Sequence, residues 1–176
     1  MVFAGETESS RSRPGDRAVK LRAIPLIVLS VACSDAPRES DSGANAAIDS
    51  LNAHIVQTYR DSDAKTYATL YTDSAAFEWP NFNTVRGRPA LEAMVRGNWA
   101  SLDSMDLKLT VASRHVAADN ATEFGAFEQS WSDPKGGRMT EYGRYVTYLA
   151  RQPDKSWLIE RFFGFEDSLR SSPKRP

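Results

Sequence analysis

"ATEFGAFEQSWSDPKGGRMTEYGRYVTYLA", Ala121 to Ala150, is two alternating runs on either side of a short polar stretch. The "SDPKGG" between them supplies Pro and Gly where a chain reverses, so the segment reads as an antiparallel hairpin. Pairing Trp131 with Met139 sets Phe127 opposite Gly143 and Gly125 opposite Tyr145. Each large ring then faces a glycine, a large-against-small match that supports this register. Glu128 and Tyr142 pair in the same hairpin with Arg144 diagonal to both, an array that can bind a polar ligand group or decorate an exposed face.

Working outward, "RQPDKSW" makes a second reversal into "WLIERFFGF", Trp157 to Phe165, and "MDLKLTVASRHV", Met105 to Val116, alternates ahead of the hairpin. Its expected inner phase is Met105, Leu107, Leu109, Val111, Ser113 and His115. Before these strands the period changes. Ala47, Ile48, Leu51, His54, Ile55, Thr58 and Tyr59 recur at helical steps, and Asp63 is placed to cap a short helix through Tyr71 with Tyr67 and Leu70 inward. "SAAFEW", Ser74 to Trp79, reads as a strand and "TVRG" as a brief second one. Arg88-Pro89 opens a third helix to about Leu102, burying Leu91, Met94, Val95, Trp99 and Leu102. The fold class is α+β, with three N-terminal helices packed on a curved antiparallel sheet.

The 176 residues, 41% hydrophobic and 26% charged, match a globular domain with a leader or tail. A formal charge of −1 without a basic run gives no nucleic-acid surface. One cysteine, Cys33, and two histidines, His54 and His115, rule out a cysteine-based zinc site and a histidine-rich one. No cofactor is implied.

"VKLRAIPLIVLSVACSD", Val19 to Asp35, runs from basic residues through an apolar core to a small residue and Cys33. That order is the grammar of a secretory leader, and the apolar part is too short to span a bilayer. It resembles a bacterial lipoprotein signal, which implies cleavage before Cys33 and acylation of its thiol, and membrane contact through that lipid alone. The expected organisation is a mis-annotated extension over residues 1–18, a signal over 19–32, a flexible tether over 33–45, a domain over 46–167 and a disordered tail over 168–176.

Within 46–167, the element order together with "LYTDSAAFEWP", "VRGRPALEAM" and "GRYVTYLARQPDKSWLIERF" resembles the SnoaL-like branch of the nuclear transport factor 2-like superfamily. The resemblance implies a cone whose mouth opens on an apolar pocket between helices and sheet, the fold of ketosteroid isomerase and scytalone dehydratase. In ketosteroid isomerase the general base is the Asp just before the proline, and that position is Trp79 here. The oxyanion-holding tyrosine falls on Ile55, which has no proton to donate. That chemistry therefore does not carry over.

With Trp79 inward, strand alternation puts Phe77 and Ala75 inward too and turns Glu78 away, while Asp73 belongs to the turn. The expected pocket wall is Phe77, Trp79, Phe82, Trp99, His115 and Tyr145, suited to a small apolar or aromatic ligand. His115 is the candidate general base; His54 reads as a helix residue against the sheet edge. Three readings compete: a ligand-binding domain of the envelope, a cofactor-independent acid–base enzyme of isomerase, cyclase or hydrolase type, and a homodimeric interaction module.

Overall fold

A 22-residue helix α1, Glu39–Arg60, opens the computed structural model, which describes residues 39–132 and 137–172. These lie in one compact unit, Ala36–Pro176. Ile48, Leu51, Ile55 and Tyr59 form the buried stripe of α1, which packs on the sheet. The short α2, Ala64–Thr69, starts where Asp63 accepts a hydrogen bond from the Thr66 amide at 3.0 Å. Such a cap stabilises a helix by about 1 kcal/mol. The chain then extends as β1, Tyr71–Glu78, and β2, Val85–Arg86, before α3, Arg88–Trp99, which has Pro89 in its first turn and buries Leu91, Val95 and Trp99. Four long strands follow: β3, Asp103–Val116; β4, Asn120–Ser132; β5, Arg138–Arg151; and β6, Trp157–Ser172.

The six strands form one sheet in the order β2-β1-β6-β5-β4-β3. The hairpin register is as expected, with Trp131 opposite Met139, Phe127 opposite Gly143 and Gly125 opposite Tyr145. The sheet is mixed rather than wholly antiparallel, because β1 runs parallel to β6, Phe77 beside Phe162. Two segments also differ from expectation. The helix begins at Glu39, inside the stretch read as tether, and β6 runs to Ser172, into the stretch read as tail. Ladder hydrogen bonds to β5 carry β6 that far, with Arg138 paired to Ser172. The leader, Cys33 and its acylation lie outside the described residues. No helix among the described residues is long and apolar enough to cross a membrane.

The core sits between the helices and the inner sheet face. Ile48, Leu91, Leu149 and Ile159 are fully buried, each worth roughly 1.5–3 kcal/mol of transfer free energy. One bulge governs everything beyond it. On β3, Val111 pairs with Gly125 but Ser113 pairs with Phe124, leaving Ala112 as the extra residue. An inserted residue in a period-2 element exchanges the faces of all that follow. Arg114, expected to point outward, turns in and pairs with Glu123, whereas His115 pairs with Thr122 and is exposed.

Candidate aromatic cavity

Between helices and sheet lies a cavity of about 620 Å³, within the usual size range of small-molecule sites. Phe77 of β1 and Trp79, the residue that follows the strand, enter it in the phase that alternation requires, and β6 adds Phe162. The ring of Phe77 stacks on Phe162 at 4.8 Å between centroids and 11° between planes. Trp79 lies 17° and Tyr145 11° from the plane of Phe162, at 6.3 and 6.4 Å. Four rings thus share nearly one orientation, and Phe127 closes that side by tilting 50° against Trp79. Glycines make room for these rings: a Cβ at Gly164 would overlap Trp79, and one at Gly125 would overlap Tyr145.

The opposite wall comes from the helices. Trp99 meets Tyr59 and Tyr67 edge-on at 5.3 and 5.1 Å. Tyr67 and Tyr71 share a hydrogen bond of 2.7 Å between their hydroxyls. Burial pushes the Tyr67 phenol up to about 12 and the Tyr71 phenol well above its ordinary range, so both stay neutral. Tyr59 is raised first by burial and then by the negative charge of Glu141.

Two buried carboxylates flank the aromatic wall with different surroundings. Glu123 is 0% exposed and fully partnered. Its Oε1 accepts from Asn52 at 2.9 Å and from the Tyr145 hydroxyl at 2.8 Å, and its Oε2 accepts from Arg114 Nε at 2.7 Å. Arg114 reaches on to Asp49 at 2.7 Å and to Asn45. This network ties α1 to three strands and fixes the Tyr145 ring. Glu141 lines the cavity and is 7% exposed. Gln129 donates to its Oε2 at 2.8 Å, while its Oε1 has no hydrogen-bond partner among the described residues. Burial, helped by repulsion from Glu166, raises its pKa; the Gln129 hydrogen bond opposes the shift.

The family model of the SnoaL-like domain matches residues 41–162. The chain belongs to the SnoaL-like domain family. Among solved structures, a protein of unknown function from Mycobacterium tuberculosis is 24% identical with a TM-score of 0.68, over 76% of this chain and 78% of that one. A ketosteroid isomerase-like protein from Erwinia carotovora atroseptica is 17% identical with a TM-score of 0.62, over 70% and 95%. A type 2 hexachlorocyclohexane dehydrochlorinase is 15% identical with a TM-score of 0.65, over 77% and 95%. These similarities place the SnoaL-like chain in the nuclear transport factor 2-like cone fold. No curated protein matches it.

Five of the residues expected in the pocket of this SnoaL-like domain line the cavity: Phe77, Trp79, Phe82, Trp99 and Tyr145. Phe82 is 74% exposed and touches it from its edge. His115 is not among the lining residues, because the bulge at Ala112 turns it to the other sheet face. His54 is exposed on α1. Asp73, its side chain 90% exposed, pairs with Arg88 at 3.1 Å, and Glu78 pairs with Arg161 at 3.4 Å. Exposed pairs of this kind contribute under about 1 kcal/mol; Arg88 is held more by its bonds to the Tyr71 carbonyl at 2.8 and 3.2 Å. Glu128 pairs with Tyr142, and Arg144 chelates Asp167 at 2.8–3.1 Å on the outer face. Sequence reasoning passed over Glu123, Glu141 and Phe162. A signal existed for the two acids, since both share the phase of Gly125, Gly143 and Tyr145 in the hairpin.

Proposed function

We propose that this SnoaL-like domain binds a small, flat, largely apolar molecule against the sheet side of its cavity. The observation that carries the reading is the near-parallel set of Phe77, Trp79, Tyr145 and Phe162 rings, all within 17° of Phe162. Offset stacking on such a wall rewards planarity and apolar area together. The test is titration with a flat apolar fluorescence quencher. Trp79→Phe should reduce the quenching, and Trp79→Ala should weaken affinity in a chain still folded by circular dichroism. Unchanged affinity in Trp79→Ala would remove the reading. With Trp79 and Ile55 in place of the groups that act in ketosteroid isomerase, no isomerisation of a β,γ-unsaturated ketosteroid above background is expected.

A second reading, cofactor-independent acid–base catalysis, is supported by one feature. Glu141 is a buried carboxylate on the cavity wall with a raised pKa, the environment in which a carboxyl exchanges protons nearer neutrality. An activity whose pH profile is unchanged in Glu141→Gln would exclude it as the base.

The domain is further proposed to be exported, anchored through acylated Cys33, and dimeric through the outer sheet face. The order of charge, apolar run and cysteine supports the anchor. Phe124, Tyr148 and Phe165, which stand 38–42% exposed opposite the helices, support the dimer. Intact mass of membrane-fraction protein tests the first, an unmodified chain retaining residues 19–32 being the contrary result. Sedimentation of wild type against Phe124→Lys tests the second, a strict monomer at high concentration being the contrary result.

A further inference from the structure

The cavity carries a charge that its aromatic wall does not require. Among the described residues that line it, Glu141 and Glu166 are the two carboxylates, and there is no Lys, Arg or His. The buried cation of the inner face, Arg114, is already held by Glu123 and Asp49. Arg144 is held by Asp167 on the outer face. Nothing positive among the described lining residues offsets Glu141.

Glu141 is also short of a partner. It is 7% exposed, and only its Oε2 is hydrogen-bonded, to Gln129. Its Oε1 is buried and unmatched among the described residues. Buried carboxylates are ordinarily satisfied on both oxygens, and an orphan calls for an explanation. The terminal torsion of a glutamate is soft, so either oxygen can be presented to the lumen. Glu141 lies in the row Leu107–Gln129–Glu141 across β3, β4 and β5. Glu166 and Gly143 form the adjacent row with Phe127. The two acids therefore sit side by side next to the ring wall. The faces of Trp79, Phe77 and Phe162 bear the negative side of their quadrupoles and favour positive charge as well.

A neutral donor would satisfy Oε1 but leave both carboxylates uncompensated. A cationic N–H donor does both. A carboxylate-bearing ligand would meet repulsion from Glu141, Glu166 and the ring faces at once.

We propose that the cavity selects a flat apolar molecule bearing a protonated amine, which donates to the Glu141 carboxylate beside Glu166 while the ring system stacks on the aromatic wall. The selection rests on the ligand-binding reading above and specifies its charge. The experiment is calorimetric titration of the full chain at neutral pH with three probes sharing one ring system: naphthylmethylamine, naphthylmethanol and naphthoate. The amine should bind about tenfold more tightly than the alcohol, with naphthoate weakest. In Glu141→Gln, which keeps the side-chain shape, the amine-to-alcohol ratio should fall to about twofold or less while alcohol binding persists; in Glu166→Gln, an exposed position, the ratio should fall in part. Equal affinity for amine and alcohol, tightest binding of naphthoate, or an unchanged ratio in Glu141→Gln would overturn the charge selection and leave the aromatic cavity standing. Binding of none of the three would overturn both.

Discussion

Trp79 lies so close over the backbone of Gly164 that residue 164 has no room for a Cβ. A side chain just past the end of β1 and a missing side chain on β6 are thus one feature, possible only because these strands pair in parallel with Glu78 beside Phe163. Gly164→Ala should displace the indole, lower stability by about 1–3 kcal/mol as overpacking does, and weaken ligand binding together with Trp79 fluorescence quenching. Gly97→Ala on α3 is the control: nothing approaches within 4 Å of its Cβ, and alanine in a helix should add about 0.5–1 kcal/mol. Urea denaturation compares the two.

Arg114 and Glu123 form a buried pair, their side chains 8% and 0% exposed. Removing one partner strands the other, so Arg114→Met should cost about 3–5 kcal/mol. The double variant Arg114→Met with Glu123→Gln should recover most of that loss, because no bare charge remains. A double-mutant cycle by urea denaturation checks it, and additive losses would contradict it.

Glu141 is raised in the folded chain above its ordinary value of 4.5, chiefly by burial. Folding therefore favours its protonated form. That contribution is fully present below pH 4.5 and is lost as pH rises through the raised folded value. Glu141→Gln should accordingly be more stable than wild type at neutral pH by about 1 kcal/mol, with the difference shrinking as pH falls toward 4.5. Parallel melts of the two proteins across pH read this directly, since their other carboxylates cancel. A gap that widens on acidification would reverse the assignment.

His115, turned outward by the bulge, should tolerate replacement. His115→Ala should leave stability within about 0.5 kcal/mol of wild type and leave binding in the cavity unchanged. A tenfold loss of affinity would mean that the strand runs without its bulge at Ala112.

The contrast between His115 and Tyr145 shows how far the chain alone reaches. Tyr145 is placed by alternation, by a turn of fixed chemistry and by a glycine opposite it, all of which are local and legible, and the same logic brings Phe77, Trp79, Trp99 and the Asp63 cap to their observed places. His115 obeys the same alternation until one residue is inserted at Ala112. Nothing in "TVASRHV" marks that insertion, because it is the partner strand that defines it: Val111 opposite Gly125 but Ser113 opposite Phe124. The parallel pairing of β1 with β6 is likewise a contact between residues 85 or more positions apart, such as Phe77 and Phe162, outside the reach of any local period. Glu123 and Glu141 carry the lesson furthest. Sequence puts both acids in the inward phase of one hairpin and makes them look alike. Tertiary structure brings Arg114 of β3 and Asn52 of α1 to the first, beside the Tyr145 hydroxyl of the same hairpin, and leaves the second with Gln129, its partner across that hairpin, because a carboxylate's character is set by which charges and donors other strands and helices bring within hydrogen-bond reach of it.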